Sequence, residues 1–252
     1  MQADDGPHRL SQTTRPGREG SGSRPGGREW IAGAGPVRAL PTFEGKRVLV
    51  VSPHPDDETI AAFGVIHRAA REAADVHVIV VTDGAASHDS ARWPPQRLAA
   101  QRECETLAAM RRAGLGRNDV TFLRHADSGL ARLNETGKRQ LLKGLRRQPM
   151  PDYVFRPSHH DYHADHKVVA RACETAWPAG VRQFAYLVWP EKGGDFRPRH
   201  ALTLGPVKTM KLAAIRDYRS QTGMIEDDPD GFSMDRRMIS SFCPPTEVFA
   251  EQ

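Results

Sequence analysis

The chain has 252 residues, a formal net charge of +5 and 38% hydrophobic residues, enough for one sizeable domain and a tail. No segment reads as a membrane span, and no apolar core follows the start as a secretory leader requires. Cys104, Cys173 and Cys243 are widely spaced and form no CxxC, which argues against a disulfide framework or a thiolate zinc knuckle and makes a reducing cytoplasm the expected compartment.

Residues 1–40 are rich in Gly, Pro, Ser and Arg (RPGREGSGSRPGGRE) and lack apolar periodicity. Such a stretch buries too little surface to offset its ordering entropy, so a disordered basic N-terminal tail is expected. Its arginines are not interleaved with aromatics for base stacking, and no specific nucleic-acid partner is expected. Residues 41–252 are expected to form a single catalytic α/β domain.

Within that domain the apolar run 46–52 (KRVLVVS) predicts a strand and the alanine-rich stretch 59–72 a helix. A strand over 75–83, a helix over 95–114 ending at a C-cap glycine, and a strand over 119–124 follow. Helix 134–147, strand 152–157 and helix 164–177 continue the alternation. Strands are then expected over 181–189 and 201–205, and a helix over 206–221 with Pro206 in its first turn. The stretch 227–245 is expected to be irregular or lightly helical. The strands are continuously apolar, as when helices cover both sheet faces. Four strand–helix alternations predict a mostly parallel α/β sheet.

In open α/β sheets ligands bind beyond the carboxyl ends of the strands. Two histidine- and aspartate-rich segments fall at that rim, SPHPDDE (52–58) and RPSHHDYHADH (156–166). His54 and Asp57, three apart where a strand enters a helix, can share one side of the turn as metal ligands, with Asp56 left free beside the ion. Pro55 stiffens the turn. The third ligand is expected from His163 or His166, the other facing the reacting group, and Asp165 can orient a histidine through its second ring nitrogen. Three such ligands suit a catalytic zinc, which acidifies water and polarises a carbonyl. Asp56 is then expected to act as general base, and a protonated His163 to stabilise an oxyanion or donate to a leaving amine. Taken singly, HPDD and HxxH are also an ordinary cap and a surface pair; their joint placement at one rim argues for the metal site.

HPDDE after the first strand, followed later by HADH (163–166), resembles the LmbE-like/PIG-L family of zinc-dependent de-N-acetylases. TDG (82–84), Arg102 and Glu105 with Gly114, Asp127, and the late Lys211, Ala214, Tyr218, Ser220 and Gln221 extend the likeness over residues 46–221. The resemblance implies a three-layer α/β/α fold with a Rossmann-like sheet, and hydrolysis of the N-acetyl group of an amino sugar in a small molecule or glycoconjugate. It implies His54, Asp57 and His166 as ligands to zinc or ferrous iron, Asp56 as base and His163 as oxyanion stabiliser. It also implies that Arg102 and Asp127 contact substrate or support the site. Ala164 stands where the family's HPDH has proline. His159 and His160 are alternative third ligands, and Asp161 reads as a loop acid, with a hydrogen bond to a ligand histidine as its alternative role. An amidase acting on a larger acyl group, a thiol-sugar conjugate or a natural-product intermediate is the alternative activity. A dinucleotide site is excluded because SPHPDD stands where G-x-G-x-x-G is required. EDDPDG (226–231) reads as a turn, since Arg237 occupies the position where a calcium loop needs glutamate.

Overall fold

The computed structural model describes residues 37–191 and 194–251. The strands are β1 (Arg38–Ala39), β2 (Arg47–Ser52), β3 (Asp75–Thr82), β4 (Val120–His125), β5 (Tyr153–Pro157), β6 (Arg182–Tyr186), β7 (His200–Thr203) and β8 (Thr246–Glu251). They form one eight-stranded sheet in the order β1-β7-β8-β6-β5-β2-β3-β4. Its pairings are parallel except the two made by β8. The helices are α1 (Asp57–Arg71), α2 (Pro95–Ala113), α3 (Glu135–Leu145), α4 (Ala164–Ala176), α5 (Val207–Asp217) and the short α6 (Arg236–Ser241).

Alternate residues of β2 and β3 explain their unbroken apolar character. Val48, Val50, Val76, Val78 and Val80 enter the core shared with α1, α2 and α5, whereas Leu49, Val51, Ile79 and Val81 enter the one shared with α3 and α4. A strand with two buried faces has no polar position to alternate. The chain leaves β2 toward β3 and β4 on one side and returns to β5 and β6 on the other. The reversal between β2 and β5 opens a crevice at their carboxyl ends, where both ligand-rich segments emerge.

The sequence placed the main elements within a few residues, with four differences. The apolar run 181–189 pairs as a strand only over Arg182–Tyr186. The helix expected over 206–221 ends at Asp217, and a 3-10 turn follows over Arg219–Gln221. The Ser220 amide (2.9 Å) and hydroxyl (2.6 Å) are drawn to the Glu105 carboxylate, which pulls this stretch out of the helical path. β8 has no counterpart among the expected elements: in TEVFAE only Val248, Phe249 and Ala250 form an apolar run, and acids flank it on both sides. Helix α1 is broken at Ala62 (φ −135°, ψ 15°). There Glu247 of β8 accepts the Gly64 and Val65 amides at 3.0 and 3.3 Å and pairs with the buried Lys211 at 2.8 Å.

The expected tail lies almost wholly outside the described residues, and β1 brings paired chain forward to Arg38. EDDPDG forms a turn tied to the loop after β3, with Asp227 accepting from Ser90 Oγ (2.7 Å) and Asp228 from the Asp89 amide (2.6 Å). Among the described residues no helix is long and apolar enough to cross a membrane. The cysteines are free thiols.

Candidate active site

The turn that follows β2 is built to present side chains. The amide and hydroxyl of Thr82 hold the Pro53 carbonyl at 2.9 and 2.8 Å. Asp57 Oδ2 accepts the His54 amide at 2.9 Å, closing the turn on itself. Between them Asp56 has φ 135° and ψ −27°, a strained backbone for a residue with a side chain, worth about 1–3 kcal/mol. Asp56 sits at the helix cap, yet its side chain makes no capping bond. Instead its Oδ2 accepts from Arg102 Nη2 at 3.0 Å.

Three donor atoms converge beside it. His54 Nδ1 lies 3.2 Å from Asp57 Oδ2 and 3.2 Å from His166 Nε2, and His166 Nε2 lies 3.1 Å from Asp57 Oδ2. A tetrahedral zinc with bonds of 2.0–2.2 Å has ligand–ligand edges of roughly 3.3–3.6 Å, so this imidazole and carboxylate triangle fits such an ion with little adjustment. Wider groupings of His54 with His163 and His166, or with Asp127 and Asp165, bring donor atoms within 4.8 Å of one another. Their members are otherwise engaged. His163 Nδ1 accepts the Asp165 amide (3.2 Å), Asp165 accepts the Ser128 and Leu130 amides (2.8 and 3.1 Å), and Asp127 accepts the Ala86 amide (3.1 Å).

Each imidazole of the triangle has a carboxylate at its far nitrogen, the arrangement that fixes ring orientation in metal sites. His54 Nε2 faces Asp127 Oδ1 and Asp165 Oδ2, both at 3.3 Å, and His166 Nδ1 faces Asp161 Oδ2 at 3.1 Å. Asp165 therefore stands at the far nitrogen of His54, a histidine of the other segment. Asp161 is no plain loop acid: it is fully buried and also accepts the amides of His163, Val188 and Trp189, each at 3.0 Å.

The electrostatics follow from this crowding. Burial pushes the Asp56 carboxyl up to about 8; Arg102 opposes the shift and Asp57 and Glu58 add to it. Burial would also raise Asp57, but His166 and His54 hold it well below the usual carboxylate range. His166 rises to about 9 despite burial because Asp161 and Asp57 face it, and His54 rises well above its ordinary value on account of Asp127, Asp165 and Asp57. Stability tied to the His166 proton is therefore complete below the ordinary value of 6.5 and is lost as pH rises through about 9. Metal ligation requires both rings deprotonated. Zinc binding at pH 7 is accordingly expected to release at least the His166 proton, and to tighten toward pH 9. Calorimetry in buffers of different ionisation enthalpy measures this; pH-independent binding without proton release is the contrary result.

His163 corrects one expectation. Burial, then the neighbouring His54 and His166, lower it to about 4, so it is neutral rather than protonated at pH 7. Because Nδ1 accepts the Asp165 amide, the ring proton sits on Nε2. Arg102 is also not a substrate-facing arginine. It is buried and bonds the Gly84 carbonyl (2.8 Å), the Pro55 carbonyl (2.6 Å) and Asp56. A side chain at Gly84 (φ 67°) would collide with it. Glu105 binds Ser220 rather than Arg102. His159 is exposed, 3.6 Å from Glu174, with its ring tilted 42° against that of His160, and neither joins the donor atoms gathered around His54.

The model of the PIG-L family, described as GlcNAc-PI de-N-acetylase, matches residues 49–177. No match was found among curated proteins. Solved structures similar to this one include the N,N'-diacetylchitobiose deacetylase of Pyrococcus horikoshii bound to its inhibitor MPG, at 22% identity and TM-score 0.63, covering 82% of this chain and 84% of that one. GalB, the 4-carboxy-2-hydroxymuconate hydratase of Pseudomonas putida KT2440, is similar at 18% identity and TM-score 0.60, over 82% of this chain and 95% of that one. The zinc-inhibited form of the teicoplanin deacetylase Orf2 is similar at 18% identity and TM-score 0.54, over 82% and 98%. At these identities the likeness speaks for the LmbE-like fold alone, and the fold carries more than one chemistry. The family match spans over half of the chain and includes both ligand-rich segments, so the chain belongs to the PIG-L family of metal-dependent de-N-acetylases.

Proposed function

We propose that residues 41–252 form a single catalytic unit that hydrolyses the N-acetyl group of an amino sugar, in a small molecule or glycoconjugate, in the cytoplasm. The observation that carries this reading is the triangle of His54, Asp57 and His166 with a carboxylate beside it, Asp56, that caps no helix. His54, Asp57 and His166 would hold the ion, zinc or ferrous iron. When bound, such an ion supplies an acidified water and a polarised carbonyl. Asp56 serves as base in its ionised form, which a cation held in the neighbouring triangle would favour by lowering the value of about 8 that burial imposes; Arg102 occupies its Oδ2, so the proton taken from water goes to Oδ1 and is later returned to the leaving amine nitrogen. His163 donates its Nε2 proton as a hydrogen bond to the carbonyl oxygen as that oxygen becomes negative. Asp127, Asp165 and Asp161 keep the two ligand rings in register through their far nitrogens.

The sugar class takes support from the family description and from the diacetylchitobiose deacetylase among the similar structures. Acetate release by zinc-loaded protein from a panel of N-acetylated amino sugars and their conjugates tests it. Release of longer acyl chains in preference to acetate would indicate the amidase alternative, and inactivity on all of them would remove the reading. His163→Ala is expected to lower kcat by about 10²–10³ with zinc retained. An unchanged kcat would withdraw the oxyanion role.

A further inference from the structure

Glu58, the last acid of HPDDE, holds no place in the donor triangle, yet it is fully buried. Its Oε2 accepts from the Ser52 hydroxyl at 2.7 Å and from the Asp56 amide at 3.2 Å. Its Oε1 accepts the hydroxyl of Tyr218 and that of Thr59, the latter at 3.2 Å. Tyr218 is itself fully buried and reaches this point from the end of α5, with Thr59 Oγ1 also 3.1 Å from its hydroxyl.

The network has a consequence for Asp56. An aspartate at a helix cap ordinarily turns its carboxylate back onto the first amides of its own helix. Here the Glu58 amide is taken by Ser52 Oγ at 3.1 Å, and the Thr59 amide by the Asp56 carbonyl at 2.9 Å. The Asp56 amide is meanwhile held by Glu58 in the left-handed half of backbone space, at φ 135°. With no amide to cap, the Asp56 side chain is left to Arg102 and the donor triangle. We infer that Glu58 and Tyr218 are a positioning pair: together they fix the backbone of Asp56 so that its carboxylate serves the reaction rather than the helix. The inference rests on the proposed deacetylase reading and assigns a task to the tyrosine of the late YxSQ motif.

The test compares the full chain, zinc-loaded, as wild type, Tyr218→Phe and Glu58→Gln. Tyr218→Phe keeps the ring in the core and removes a single hydroxyl. Its kcat is expected to fall roughly 10-fold to 100-fold, the scale of a misplaced catalytic group. KM and zinc per chain should stay within about two-fold of wild type. In crystals of metal-free Tyr218→Phe, Asp56 should leave the positive-φ region and lose its contact with Arg102. A kcat within about two-fold of wild type overturns the inference. So does a loss of zinc or a rise in KM in step with kcat, which marks general damage to the site. If Glu58→Gln fails to fold, Tyr218→Phe decides alone. If wild-type protein releases no acetate from any substrate, the deacetylase reading fails by itself. The backbone of Asp56 in the Tyr218→Phe crystals then settles the positioning: a relaxed Asp56 supports it and an unchanged one overturns it.

Discussion

Asp56→Asn is expected to lower kcat by about 10³, within the 10²–10⁴ range of a lost general base, while zinc per chain stays at the wild-type level. Asparagine has nearly the same shape, tolerates positive φ better than most residues, and can still accept the bond from Arg102 through its amide oxygen. What it cannot do is take a proton. The two outcomes separate because Asp56 lies outside the His54–Asp57–His166 triangle. Steady-state kinetics on an acetylated amino sugar, with metal analysis of the same sample, measures both. A fully active Asp56→Asn enzyme would end the role given to this residue.

His166→Ala is expected to abolish stoichiometric zinc and activity together. The ring supplies one of three donors and also faces two buried carboxylates, Asp57 and Asp161, at 3.1 Å each. Its removal leaves Asp161 without its imidazole partner and Asp57 with His54 alone, so a drop in thermal stability should accompany the loss. Asp161→Asn provides the contrast. All three donors remain and only the support of His166 is weakened, for which an affinity loss of 10–100-fold is expected. Zinc titration of the two variants beside metal-free wild type gives the ranking. If His166→Ala binds zinc as tightly as Asp161→Asn does, the third ligand lies elsewhere.

The residues of the candidate site were legible in the sequence because they lie close along the chain: His54, Asp56 and Asp57 share one turn, and His163, Asp165 and His166 another. The sheet was legible because strands buried on both faces are written as unbroken apolar runs. What escaped was set by contacts distant along the chain. Nothing around Asp161 distinguishes it from any loop acid until the amides of Val188 and Trp189 close on it. For Arg102 the sequence leaves substrate contact and support of the site both open until the turns after β2 and β3 bring carbonyls to it. The charge of His163 depends on two other histidines, and spacing alone carries no information about that competition. Tyr218 and Ser220 entered only as part of the family likeness, and the contacts they make, with Glu58 and Glu105, appear in the structure alone.

The position of β8 bears on how the molecule comes into being on the ribosome. Every proposed metal donor has emerged by residue 166, but the strand that joins β6 to β7 is the last one made. β1 and β7, although synthesised earlier, have no place in the sheet until it arrives, and α1 waits for Glu247 to satisfy the amides at its break. A nascent chain therefore carries all the proposed donors on an incomplete scaffold, and closure of the sheet depends on contacts between segments far apart in synthesis, the slow kind to form.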